Sequence, residues 1–510
     1  VADVWSNLWL GFSVALTPAN LAFALAGAFI GTMIGALPGI GSTSGVALLL
    51  PLTFGMNPTS AMIMLAGIYY GSMYGGTITS VLINTPGESA TIVTTLDGYQ
   101  MARQGRAGAA LGIATLGSFV AGTLATIALM LTAPRLARAA LTFGPPEYFA
   151  LMLLGIAMLA SLGGGSRLKA GISALAGLLL GTVGVDVMTG TARFTFGSMN
   201  LLSGVDFLPL SIALFGFSEI LAGADEGEGG RLSRPHVSVR EVFPTAQDLR
   251  RARWPIARGS VVGFLTGALP GAGATIASFA AYFLERKLSR TPERFGTGAI
   301  EGVAAPESAN NAASVGAMVP LLTLGLPGGT TTAVLVGAFI MWGLRPGPML
   351  FEQNPQFVWG LIASMYVGNV MLVLMNIFLI PLFVRLLRIP YEVLVPIILT
   401  LCMIGAFAAN NRMWDVGVLI VFGAIGYLMK RLDYSPAALV TALVLGPLAE
   451  NAFRQSLQIS EGDFSIFVTR PIAAVLLGVA LLALVLPVAQ AVTVRSSGED
   501  ASRGTPPRLP

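Results

Sequence analysis

The sequence predicts an all-α, polytopic integral membrane protein built from two inverted repeats, with broken helices and re-entrant hairpins. Three observations carry that expectation: a charge-poor composition, a duplicated Leu-Pro-Gly motif and an uneven spread of basic residues. The chain of 510 residues is 54% hydrophobic and only 11% charged, with a mean hydropathy of +0.77. Soluble domains carry roughly 25% charged residues, so this chain cannot coat an ordinary water-facing surface. Crossing ~30 Å of hydrocarbon takes about 20 residues, and charge-poor stretches of that length recur. The clearest are 108–133, 357–384, 391–410 and 471–494. With the shorter ones they predict about ten to fourteen crossings or half-crossings.

The rest of the composition mainly excludes. A net charge of +4 reports loop orientation in a membrane protein and does not call for nucleic acid. Cys402 is the single cysteine and His236 the single histidine. An internal disulfide, a His/Cys zinc site and Ser–His or Cys–His chemistry inside the membrane are therefore disfavoured. No Walker-type phosphate loop is present, and the opening Val1-Ala2-Asp3 has no basic n-region of a signal peptide. The expectation is a non-enzyme without an organic cofactor.

Internal repetition organises what remains. Gly35-Ala36-Leu37-Pro38-Gly39-Ile40-Gly41 recurs as Gly267-Ala268-Leu269-Pro270-Gly271-Ala272-Gly273, 232 residues later. A looser pair, Asn84-Thr85-Pro86-Gly87-Glu88-Ser89 and Gly325-Leu326-Pro327-Gly328-Gly329-Thr330, is offset by 241. A short insertion therefore separates the two motifs of the second half. The polar stretch 225–258 contains Arg231, Arg234, Arg240, Arg250, Arg251 and Arg253. It divides the chain into a first membrane repeat (1–224), a connector expected in the cytoplasm (225–258) and a second repeat (259–470). A C-terminal membrane helix (471–494) and a polar tail (495–510) follow.

Pro-Gly breaks free backbone groups that lipid cannot satisfy, so they persist only where protein or a polar cavity covers them. Paired breaks in two halves point to the substrate site of a secondary transporter. Single glycines and prolines that pack or kink membrane helices are the plainer reading. No Lys or Arg occurs before Arg103, whereas the loop after the second motif carries Arg286, Lys287, Arg290 and Arg294. Equivalent loops with opposite charge bias belong on opposite sides of a membrane, which predicts inversion. A re-entrant first hairpin would give the same charge pattern.

Four strings are specific enough to suggest a family: 35–51 (GALPGIGSTSGVALLLP), 67–88 (GIYYGSMYGGTITSVLINTPGE), 96–108 (LDGYQMARQGRAG) and 305–329 (APESANNAASVGAMVPLLTLGLPGG). With them the chain resembles the large membrane subunit of the tripartite tricarboxylate transporters over about residues 20–470. The resemblance implies a multi-pass protein of the bacterial inner membrane that imports carboxylates by secondary active transport. It also implies two partners, a small membrane subunit and a periplasmic solute-binding protein. Citrate, dicarboxylate and aromatic-acid members are not distinguished by these strings, and a channel-like or uncoupled carboxylate permease is the alternative.

A carboxylate leaving water needs donors, which helix N-termini and glycine-rich backbone supply without a buried cation. The expected substrate residues are Pro38, Gly39, Gly41, Ser42 and Thr43 in the first break and Pro86, Gly87 and Ser89 in the second. In the other half they are Pro270, Gly271, Gly273 and Thr275, then Pro327, Gly328, Gly329, Thr330 and Thr331. Ordinary helix caps would use the same hydroxyls. Amide and backbone carbonyls suit Na⁺ in broken-helix transporters, so Asn84, Asn310 and Asn311 are expected coupling-ion ligands, with interhelical hydrogen bonding as the plainer role. Glu88 and Glu307 are intramembrane carboxylates and functional candidates by default. Asp97 is expected at a solvated loop end. Tyr69, Tyr70 and Tyr74 suit either path lining or interfacial anchoring.

Overall fold

The computed structural model describes residues 2–37, 40–162, 166–186, 188–225, 239–386 and 391–484. His236, Pro38, Gly39 and the 495–510 tail lie outside them. After α1 (Ala2–Ala15), the first half comprises α2 (Pro18–Gly35), α3 (Gly41–Leu49), α4 (Pro58–Ile83) and α5 (Thr94–Arg103). Three more helices follow: α6 (Ala107–Ala140), α7 (Pro145–Leu162) and α8 (Arg167–Gly181). A two-residue antiparallel ribbon then pairs β1 (Gly184–Val185) with β2 (Ala192–Arg193). Next come α9 (Phe207–Ser211), a π-helical turn (Ile212–Phe217) and α10 (Ser218–Asp225).

The second half holds α11 (Ala246–Gly267), α12 (Gly273–Leu288), α13 (Glu301–Gly316), α14 (Met318–Leu324) and α15 (Thr330–Met341). Helix α11 thus begins inside the stretch expected to be connector, with Thr245 and Asp248 closing a capping box at its start. The remainder is α16 (Leu350–Gln353), α17 (Pro355–Phe378), α18 (Ile380–Leu386), α19 (Tyr391–Asn410), α20 (Met413–Arg431), α21 (Pro436–Ile459) and α22 (Ile466–Thr469). The last described helix is α23 (Pro471–Leu484).

Among the described residues, five helices are long and apolar enough to cross a membrane: α2, α6, α17, α20 and α21. Shorter apolar helices stand beside them. Leu168, Leu175 and Leu179 on α8 and Ile420, Val421 and Leu428 on α20 are exposed. Such surfaces fit hydrocarbon better than water.

The two halves are built alike. Helix α2 packs chiefly on α4, and α11 chiefly on α13. In the first pair Gly27, Gly31 and Gly35 lie so close to the backbone of Met64, Ile68 and Ser72 that a Cβ would collide. In the second pair Gly259, Gly263 and Gly267 lie equally close to Ala305, Ala309 and Ala313. The glycine triplets correspond at the 232-residue offset of the first motif. The contact is also made in reverse: Gly75 abuts Thr32 and Ala36, and Gly316 abuts Phe264 and Ala268. Small residues four apart let helices touch backbone to backbone where no hydrophobic effect drives them together. The nine-residue difference between the offsets falls in the longer α12 and the 289–300 loop, which has only 50–57 as its counterpart.

Asp97 departs from expectation, because it is fully buried rather than solvated. Its Oδ1 accepts from the amides of Gly296 and Gly298 at 2.9 Å and Ala299 at 2.7 Å, and its Oδ2 from Tyr282 Oη at 2.9 Å. The carboxylate pins the 295–300 loop to α5. Sequence alone favours solvation here because the four donors are about 190 residues or more away. The tyrosine alternative also resolves: Tyr69, Tyr70 and Tyr74 are all buried, so they are not interfacial anchors.

Two outcomes follow for stability, read as thermal melting in detergent. Gly31→Ala and Gly263→Ala should each destabilise by about 1–3 kcal/mol through overpacking. Gly417→Ala, at an open position on α20, should be neutral or stabilise by up to ~1 kcal/mol. Equal behaviour of all three would remove the close-packing account. Asp97→Ala strands three amides and should cost about 3 kcal/mol or more, while Asp97→Asn, which keeps an acceptor, should cost clearly less. An Ala variant as stable as the Asn variant would contradict the assigned role.

Candidate functional site

The breaks are where the two halves meet. Gly41 and Gly273 open α3 and α12 with φ of +63° and +67°, a left-handed region that glycine enters freely. Asn84 and Gly325 end α4 and α14 in the same region, at φ 57° and 73°. They are equivalent positions, 241 residues apart. Asn is the side chain that best tolerates this helix-terminating conformation, and Asn84 is exposed. Its place in the fold is that of a helix terminator, apart from the buried Asn310 and Asn311.

The next glycines cover the ends of the first helices. A Cβ on Gly87 would strike the Gly35 carbonyl, and one on Gly328 lies 2.9 Å from the Gly267 carbonyl. These are again equivalent positions. Pro327, Gly328 and Gly329 are buried, while Pro86 and Pro270 are half-buried. Gly271 also carries a packing constraint that its sequence neighbourhood does not announce. It sits at φ +79°, and a Cβ there would lie 2.9–3.1 Å from the backbone of Met158 and Leu159. Bulk at Gly271 would therefore disrupt packing on α7.

Four hydroxyl-bearing tips converge. Thr43 Oγ1 lies 2.9 Å from both Thr330 Oγ1 and Thr331 Oγ1, and Ser42 Oγ lies 2.9 Å from Thr331 Oγ1. On the other side Ser89 Oγ lies 2.9 Å from Thr275 Oγ1. Exchanging the halves turns the Thr43–Thr330 pair into the Thr275–Ser89 pair, so each half's first break meets the other half's second. These hydroxyls bond across halves and are not spent on local caps. The cap of α15 is Thr332, whose Oγ1 accepts from Gly329 N at 2.9 Å. Ser42 and Thr331 are buried, whereas Ser89 and Thr330 are exposed, so the cluster opens to the outside.

Glu88 stands inside this cluster. Its Oε2 accepts from Ser42 N at 2.5 Å and Ser72 Oγ at 3.3 Å, and its Oε1 from Ser89 N at 3.2 Å. No Lys or Arg occurs within 1–102, 259–285 or 295–344, the segments that hold the cluster residues, and Arg286 and Lys287 of α12 stand at its far end from Thr275.

A second polar cluster lies within the packed helices. Glu307 is fully buried on α13. Its carboxylate accepts from Thr77 Oγ1 and Thr94 Oγ1 at 2.5 Å and from Asn310 Nδ2 at 3.2 Å. Asn311 Nδ2 donates to Ser118 Oγ at 2.7 Å and to Asn310 Oδ1 at 2.6 Å. A small cavity lined by Tyr74, Thr77, Thr115, Ser118 and Asn376 adjoins it. Sequence reasoning singled out the carboxylate and the two amides but missed Thr77, Thr94 and Ser118. Isolated hydroxyls in apolar helices carry no separate signal.

Residues 21–441 match the tripartite tricarboxylate transporter TctA family. A protein of Agrobacterium vitis, described as an uncharacterized 52.8 kDa protein in the TAR-I ttuC' 3'region, is 49% identical over 484 residues. That alignment covers 95% of this chain and 96% of the relative. Another from the same organism, described as an uncharacterized protein in the TAR-II ttuC' 3'region, is 50% identical over 224 residues, or 44% of this chain and 93% of its own length. No solved structure matches. The specific strings, the duplicated breaks and a match across most of the chain agree: the protein belongs to the tripartite tricarboxylate transporter TctA family.

Proposed function

We propose that this chain is the large transmembrane subunit of a binding-protein-dependent secondary transporter in the bacterial inner membrane. It imports tricarboxylates or related carboxylates, driven by a Na⁺ or H⁺ gradient, together with a small membrane subunit and a periplasmic solute-binding protein. The observation that carries this reading is the convergence of Ser42, Thr43, Ser89, Thr275, Thr330 and Thr331 from both halves. Neutral donors at paired helix breaks can hold a carboxylate without trapping it, as a carrier that must release its cargo requires. The substrate carboxylates would replace the hydroxyl–hydroxyl bonds and take the backbone N–H groups at the starts of α3, α12 and α15. The coupling ion would sit by Asn310, Asn311 and the Glu307 carboxylate. One packed unit would then slide against a fixed scaffold, carrying the cluster from one face of the membrane to the other.

This reading needs the repeats to be inverted. The absence of Lys and Arg before Arg103 and the basic run at the end of α12 and just beyond it support a periplasmic 50–57 loop and cytoplasmic 225–258 and 286–294 segments. Cysteines replacing the exposed Leu52 and Lys287 in a Cys402→Ala background should react with an impermeant maleimide from opposite sides. Same-sided labelling would remove the inversion.

Transport itself is testable in sealed proteoliposomes containing both membrane subunits, supplied with labelled citrate and the loaded binding protein. Uptake should need the cation gradient and should fall sharply without the binding protein. A hydrogen bond to a charged group contributes roughly 1.5–3 kcal/mol. Thr43→Val and Thr330→Val should therefore each weaken apparent affinity about ten- to a hundredfold. Gradient-independent flux would favour an uncoupled permease, and unchanged affinity in both variants would move the site elsewhere.

A further inference from the structure

We propose that Glu88 holds a sodium ion of its own, separate from the ion placed beside Glu307, in direct contact with the bound carboxylate, so that this cation and the anion enter the cluster only together. This inference rests on the hydroxyl cluster being the substrate site.

The first argument is placement. Glu88 joins the two sides of the cluster. One oxygen takes the Ser42 amide, whose hydroxyl reaches Thr331, and the other faces Ser89, whose hydroxyl reaches Thr275. A carboxylate arriving among these hydroxyls must settle beside a protein carboxylate. Like charges a few ångströms apart at a partly covered protein site repel strongly enough to lower affinity by orders of magnitude.

The second argument is the missing countercharge. Segments 1–102, 259–285 and 295–344, which hold the cluster residues, contain no Lys or Arg, and among the described residues Glu88 belongs to no ion pair. Each substrate carboxylate adds negative charge that this chain does not balance. A mobile cation must supply what the fold omits.

The third argument comes from comparing the halves. The position equivalent to Glu88 is Gly329, which lies against Gly273. There the two breaks close on each other through a backbone bond, Gly273 N to Gly328 O at 3.2 Å. The same architecture therefore forms without a carboxylate, and Glu88 is an addition to one half alone. Glu88 does accept the Ser42 and Ser89 amides, but a neutral acceptor would serve those two bonds, and only the site chemistry calls for its charge.

Ligand chemistry selects the ion. The Glu88 carboxylate and the Ser72 and Ser89 hydroxyls are hard oxygen donors within one small space, and a substrate carboxylate would complete the set. A proton on Glu88 would remove the repulsion but bring no attraction for the anion. A sodium ion shared by both carboxylates does both.

The test uses the full chain with its small subunit in lipid nanodiscs, with labelled citrate as probe. NaCl is exchanged for choline chloride at constant pH and ionic strength. Citrate affinity of the wild type should rise at least tenfold between zero and about 100 mM Na⁺. In Glu88→Gln the rise should shrink below threefold, with binding in the absence of Na⁺ no weaker than wild type. Glu88→Asp, which keeps the charge on a shorter arm, should retain the rise but need at least fivefold more Na⁺, and it carries the test if the Gln variant does not fold. Wild-type Na⁺ dependence in Glu88→Gln, or dependence on pH in place of Na⁺, would overturn the inference. Thr43→Val separates the two levels. If it weakens citrate at every Na⁺ concentration while Glu88→Gln behaves as wild type, only the ion assignment fails. If Thr43→Val and Thr330→Val are both silent, the site reading fails with it.

Discussion

Everything in this structure depends on hydrocarbon being unable to hydrogen-bond a broken helix. Four breaks stand in the middle of apolar sequence, and other backbone covers the helix ends at Gly35 and Gly267 that two of them leave. The cover is supplied by two helix pairs, α2 on α4 and α11 on α13, whose glycines bring main chains into contact. Gly87 and Gly328 then fold back over the ends of α2 and α11. Larger side chains at these places would separate the helices and leave the freed N–H and C=O groups facing lipid. Close packing and the cover of the helix ends are thus one requirement met twice.

The two clusters divide the chemistry. Near the tips, neutral hydroxyls from both halves meet at an opening, and a single carboxylate, Glu88, sits among them. Deeper in the helices, Glu307 is held by two threonines and an asparagine. Each carboxylate occurs in only one of the two pseudo-symmetric halves: the counterpart of Glu88 is Gly329, and that of Glu307 is Ala66. The repeats agree in what builds the breaks and differ in what carries charge. A duplicated scaffold specialised in this way fits a carrier that handles an anion and a cation at neighbouring places.

Much of this was legible in the sequence. The two motif offsets located all four breaks, and the Ser and Thr residues after them are the ones that converge. The glycine triplets at 27, 31, 35 and 259, 263, 267 obey the same offset, although only the structure shows the backbone they touch. Other roles were hidden because they are made by distant partners. Asp97 is buried by donors from 282–299, Gly271 packs on α7, and Asn84 ends α4 in the left-handed region. Periodicity and composition report local chemistry, and these three residues are defined by what arrives from elsewhere in the fold.

The central claim is that the substrate carboxylate sits where the first break of each half meets the second break of the other. The most direct measurement is a structure by electron cryomicroscopy of the assembled membrane subunits with citrate bound. The account predicts citrate density between the tips of α3, α12 and α15, within hydrogen-bond distance of Thr43, Ser89, Thr275 and Thr330 and beside Glu88. Density at any other place, with these hydroxyls still paired to one another, would contradict it.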